Sequence, residues 1–186
     1  MEANVVRWAA ELAEGALAVQ LPQRWLHVKG VRGRASLAAP LFGQAEADLL
    51  LAAAILHDIG YAPSVKVTGF HALDGARYLA AQRAPERLCA LVAHHSCAYR
   101  EAELRGLSGE LAEWRDEETP LRDALWWADM TTTPDGSRTN VHDRIEEIQG
   151  RYGPEDLVTF FTRQAKPELI AAVERTEVRL RSAGLS

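Results

Sequence analysis

The chain has 186 residues, of which 47% are hydrophobic and 25% charged, and its formal net charge is −5. That composition excludes a disordered chain and suits one globular domain with a substantial core. The acidic balance gives no footing for general nucleic-acid binding, although a local basic pocket or a metal would still admit a small anion.

Cys89 and Cys97 have neither CxxC spacing nor a disulfide framework, which fits a reducing, cytoplasmic compartment. The opening MEANVVRWAAELAEG mixes acids into its apolar pattern and lacks the layout of a signal peptide. The longest apolar run, Leu49 to Leu56, is too short to span a bilayer.

Apolar residues recur at three- and four-residue spacing, and β-branched runs are rare, so the chain reads as all-α. In chain order the pattern predicts helices near 3–19, 22–38, 44–58, 69–82, 85–95, 120–131, 140–151, 154–163 and 167–182. Prolines 22, 40, 63, 85, 120, 154 and 167 fall between these segments and read as starts or breaks. Gly60 to Gly69 and Cys97 to Thr119 read as irregular. Both directly follow histidines, so they are candidate walls or lids of a site. From about Asn140 onward the chain is regular and amphipathic. His142 beside Asp143 sits on a charged helical face and reads as a surface pair.

The strongest chemical signal is ADLLLAAAILHDIGY. Eight consecutive apolar residues imply a helix buried nearly all round, with His57 and Asp58 at its end and Gly60 as its stop. Leaving such groups buried without partners costs about 2–7 kcal/mol for a neutral group and more for a charge. A divalent metal satisfies both, and so does a plain His–Asp hydrogen bond. The other histidines bear on the choice. His27, His71, His94 and His95 each lie on or at the end of an apolar helical segment, and Asp129 follows the apolar stretch LWWA. Several helices converging on one buried polar site would produce this pattern.

The order His27, His57-Asp58, Asp129 resembles the H…HD…D signature of the HD superfamily of metal-dependent phosphohydrolases, and HDIG is a common form of its central motif. The resemblance covers roughly residues 24 to 135. It implies an all-α, HD-domain helical bundle with a C-terminal helical extension, 140–186, packed on the same single domain. Carried over by residue, it implies a first metal on His27, His57, Asp58 and Asp129. Asp58 would bridge to a second metal on His71, His94 and His95, with one or both of the last pair binding. The donor set suits iron or manganese, and also zinc, nickel or cobalt.

Asp58 and His57 are the implied catalytic residues, acting through metal-activated water on a phosphate ester or anhydride of a nucleotide or other small phosphorylated metabolite. Many HDIG proteins continue with lysine where this chain has Tyr61. Lys66 and Arg32 are therefore the candidate phosphate contacts, with Arg34 and Arg138 behind them. The GYP element of cyclic-dinucleotide phosphodiesterases is absent after His95. Two other readings use the same residues: a di-iron HD-fold oxygenase and a non-catalytic metal-binding regulatory domain. A small phosphorylated substrate is the expected partner, with no membrane involved and homodimerisation left open.

Overall fold

The computed structural model describes residues 2–185. Among the described residues there are ten α-helices and no strand, with a single isolated β-bridge between Thr132 and Arg138. The helices are α1 (Glu2–Leu17), α2 (Pro22–Ala38), α3 (Gln44–Leu56), α4 (His71–Ala81), α5 (Glu86–Ala93), α6 (Ala98–Arg105), α7 (Ser108–Leu111), α8 (Pro120–Met130), α9 (Val141–Tyr152) and α10 (Leu157–Ser182).

The apolar run makes α3 the hub. Leu50 and every residue from 52 to 56 are buried, and the helix packs against α1, α2, α5 and α8. Ala9 and Ala13, one turn apart on α1, and Ala52 to Ala54 on α3 are all fully buried. Side chains this small let helix axes approach closely while still removing apolar surface from water. On α2, Val28, Val31 and Ala35 turn inward toward α3 and α8.

The helical part of α3 stops at Leu56, so His57 and Asp58 lie just beyond it rather than within it. A single 3₁₀ turn, Ile59–Tyr61, follows. Gly60 has a packing role that differs from the helix stop expected of it. A Cβ there would lie 1.9 Å from the carbonyl oxygen of His71. Only glycine lets the turn press against the start of α4, and that contact sets His71 beside Asp58.

Two further expectations are corrected. The segment Cys97 to Thr119 is not wholly irregular, because it contains α6 and α7. Its charges hid buried Ala98, Ala102 and Leu111. Likewise Pro167 does not separate two helices, for α10 runs through it. Its ring takes one hydrogen bond from the carbonyl four residues back, on Arg163. Both residues are exposed, so the lost bond lies on the solvent side of the helix rather than in the core. Meanwhile Thr162, Ala165, Leu169, Val173, Thr176 and Leu180 form one buried stripe across the proline. Packing of that stripe against α8, α9 and α6 outweighs the local cost. Arg175 adds a two-pronged pair to Asp123 on α8, with both bonds at 2.8 Å.

Candidate metal centre

His27, His57, His71, His95, Asp58 and Asp129 come together from α2, the end of α3, α4, the end of α5 and α8. They form two groups, His27–His57–Asp129 and Asp58–His71–His95. Within each group the candidate ligand atoms all lie within 4.8 Å of one another.

Backbone carbonyls fix the tautomers. The Nδ1–H of His57 donates to the carbonyl of Ala54 at 2.8 Å, and that of His95 to Val92 at 2.6 Å. The Nδ1–H of His27 donates to the carbonyl of Thr133 at 3.0 Å. That last contact depends on two glycines. The loop after α8 lies against α2, where a Cβ on Gly30 would sit 2.4 Å from the Gly136 carbonyl oxygen. Gly136 itself has φ +85, and a Cβ there would strike the Leu26 carbonyl at 2.5 Å.

With Nδ1 committed as donor, each neutral ring points an Nε2 lone pair inward. The inward neighbours are also acceptors. His27 Nε2 is 3.1 Å from Asp129 Oδ1 and 3.8 Å from Asp58 Oδ2. His57 Nε2 is 3.3 Å from Asp58 Oδ2 and 3.8 Å from Asp129 Oδ1, yet has no hydrogen-bond partner although buried. His71 Nε2 stands 3.1 Å from His95 Nε2 and 3.6 Å from Asp58 Oδ1. Lone pairs and carboxylates facing one another repel unless positive charge lies among them. The donor set therefore fits a bound cation at each group. Asp58 turns Oδ2 toward the first group and Oδ1 toward the second.

In the metal-free chain, protons and Arg24 carry part of that charge. Burial opposes a charge on His57, but Asp58 and Asp129 outweigh it and raise the imidazole to about 9. Burial likewise opposes ionisation of Asp58, but Arg24 and His57 hold it well below the usual carboxylate range. Asp129 is also depressed, because its bond to His27 and the charge of His57 outweigh burial. His71 and His95 shift downward, first through burial and then through neighbouring imidazoles. Those two are neutral, as ligands must be.

Several site residues were not singled out by sequence. Arg24, three residues before His27 on the same face of α2, donates to Asp58 Oδ2 at 2.8 Å and stacks over Tyr61 at 4.1 Å. Tyr61 in turn stacks on His71, with ring centroids 4.1 Å apart. Ser96 donates to Asp129 Oδ2 at 2.6 Å. To do so the chain turns sharply, with Ser96 and Cys97 both left-handed at φ 48 and 60. Each such residue costs about 1–2 kcal/mol. Arg144 of α9 is buried with its Nε unpartnered, lines the same pocket, and adds positive charge near Asp129.

Three expected contacts lie elsewhere. The ring of His94 is not brought to the cluster. Its Nε2–H donates to the carbonyl of Trp114 at 2.7 Å, while its own carbonyl accepts from Trp126 Nε1 at 3.0 Å. An Nε2 engaged as a donor has no lone pair for a metal. Lys66 and Arg32 are both exposed and do not line the pocket over the metal groups. Of their alternates, Arg34 stacks on Trp127 and donates to Thr131, and Arg138 also lies outside the pocket.

The cluster floors a cavity of about 680 Å³, counting its open mouth. Arg24, Glu101 and Arg144 supply charge around it, and Ile148, Val158 and Phe161 supply an apolar wall. No described helix is long and apolar enough to cross a membrane.

This is a helical bundle that converges four histidines and two aspartates into adjoining groups that could hold metal ions. Residues 24–131 match the family described as HD domain, and the chain belongs to that family. HD domains are generally metal-dependent hydrolases. No curated protein and no solved structure matches the chain.

Proposed function

We propose that the protein is a phosphohydrolase that binds two divalent transition-metal ions and cleaves small phosphoesters. The observation that carries this reading is the convergence of acceptor atoms in two adjoining groups, with Asp58 facing both, beneath a wall bearing Arg24 and Arg144. His27, His57 and Asp129 would hold one ion, His71 and His95 the other, and Asp58 would be shared between them. Bound there, the ions supply Lewis acidity and bring the pKa of water toward neutrality.

The chain's own residues do the rest. The carbonyls of Ala54, Val92 and Thr133 keep the imidazoles of His57, His95 and His27 in the ligating tautomer. Ser96 holds one oxygen of Asp129, so the other faces His27. Arg24 neutralises Asp58 in the metal-free chain. With Asp58 serving as a ligand, the Arg24 guanidinium stacked on Tyr61 would be free to meet a phosphoryl oxygen. Arg144, with a free Nε, meets a second such oxygen. Arginine suits this task because its planar fork matches phosphate.

The test is release of phosphate from a panel of nucleotide and small-metabolite esters by protein loaded in turn with manganese, iron or zinc. Metal-dependent release that EDTA abolishes is expected. Absence of release with every metal, or release unaffected by EDTA, would overturn the reading. A reaction that consumes oxygen only with iron would point instead to oxygenase chemistry.

A further inference from the structure

Glu101 on α6 is the one buried carboxylate lining the pocket that the proposed reaction leaves unused. Its side chain is only 7% exposed. Its partner is Arg105, one turn along the helix, and both guanidinium contacts fall on the same oxygen. Nε reaches Oε1 at 2.7 Å and Nη2 reaches Oε1 at 2.6 Å. Among the described residues no group donates to Oε2. Arg100 places two donors on one oxygen of Glu168 in the same way, but there Tyr99 donates to the second oxygen. Here one oxygen is satisfied and the other is left over at a cavity wall. Burial, with the like charge of Asp156, outweighs Arg105 and pushes the carboxyl upward.

The surroundings restrict what fits. Tyr152 at the end of α9, and Val158 and Phe161 on α10, line the same pocket. The pocket thus has cations and candidate ligands for the ester's phosphate, an apolar wall, and one carboxylate outside the two metal groups. Resting on the phosphohydrolase reading, we propose that Glu101 selects the leaving group by accepting a hydrogen bond from its hydroxyl or amine through Oε2. Tyr152, Val158 and Phe161 take the apolar face of that group. A negative charge at this position also repels a second phosphate, so the preferred substrate is a monoester of an uncharged or cationic polar alcohol. Glu101 then governs which ester binds, and the metal groups govern whether it is cleaved.

Calorimetric titration of metal-loaded protein tests this without relying on turnover. The probes are inorganic phosphate, phenyl phosphate, glycerol phosphate and a nucleoside monophosphate, with wild type, Glu101→Gln and Glu101→Ala. Wild type should bind at least one hydroxyl-bearing ester more tightly than phenyl phosphate. Glu101→Ala should weaken that ester about 10-fold or more, and phenyl phosphate and phosphate by no more than about two-fold. Glu101→Gln keeps an acceptor oxygen and should recover part of the loss. In turnover the loss should fall on KM, with kcat retained. Equal weakening of all probes, no weakening of any, or hydroxyl-bearing esters that bind no tighter than phenyl phosphate would each overturn the assignment. Loss of phosphate binding by the wild type is a different failure, that of the phosphohydrolase reading itself. An unchanged melting temperature in Glu101→Gln separates selection from folding.

Discussion

The pocket has two halves that are held in different ways. Between Arg24 and Thr131 the polar groups are locked by the fold. Imidazoles are pinned to carbonyls, Asp129 is shared by His27 and Ser96, and every ligand but His71 is at least nine-tenths buried. On α9 the charged groups have a more exposed anchor, for Arg144 and Arg151 both lean on Glu147, whose side chain is 35% exposed. The family match ends at residue 131, so the locked half lies within it and α9 and α10 lie outside it. On the proposed function, the fixed half would hold the metal and set one chemistry, and the wall added by α9 would help to admit varied esters.

That contrast can be broken by substitution. The largest effect is expected for Asp58→Ala, which removes the carboxylate common to both groups. Metal content should fall and turnover should drop about 10³-fold or more, measured by elemental analysis and steady-state kinetics. Retained metal with retained turnover would contradict the locked half. Arg144→Ala in the other half should leave metal content intact while lowering kcat/KM about 10- to 100-fold, the worth of one charge-assisted bond.

The neighbouring histidines sharpen the contrast within the locked half. His95→Ala should cost metal. His94→Ala should leave metal content unchanged and lower stability by about 1–3 kcal/mol in urea titration, because the Trp114 carbonyl loses its buried donor. Metal loss in His94→Ala would return that residue to the ligand set.

A smaller effect follows from pH. His57 is raised from 6.5 to about 9 in the metal-free chain. Its contribution to stability is therefore complete below pH 6.5 and is lost as pH rises through about 9. The same proton competes with metal, so metal binding strengthens over that window. The gap in melting temperature between metal-loaded and metal-free protein should widen from pH 6.5 to 9. A gap that narrows would place the competing proton elsewhere.

The candidate ligand cluster was legible because burial of charge leaves a pattern. Histidines and aspartates at the ends of apolar helices must find partners, and His27, His57, Asp58, His71, His95 and Asp129 do converge. His94 shared that signature but not the outcome. Adjacent residues at a helix end point in directions about 100° apart, so one His-His pair feeds both the site and the core. Arg24 carried a readable signal in its three-residue spacing from His27. Arg144 carried none, since VHDRIEEI reads as a solvated face and only tertiary packing shows that Val141, Arg144 and Ile145 are its buried side. Lys66 and Arg32 lie near ligand-bearing segments in sequence, but nearness in sequence says nothing of direction, and both point to solvent. The proline at 167 misled because its cost is local, whereas the buried stripe that overrides it spans the helix.

Whether Asp58 serves two ions is read from the number of ions bound per chain. Protein saturated with manganese or iron, freed of unbound metal and analysed for metal and protein content, should hold two equivalents. His71→Ala should hold one, keeping the His27–His57–Asp129 group. A single equivalent in the wild type, or two retained in His71→Ala, would contradict the account.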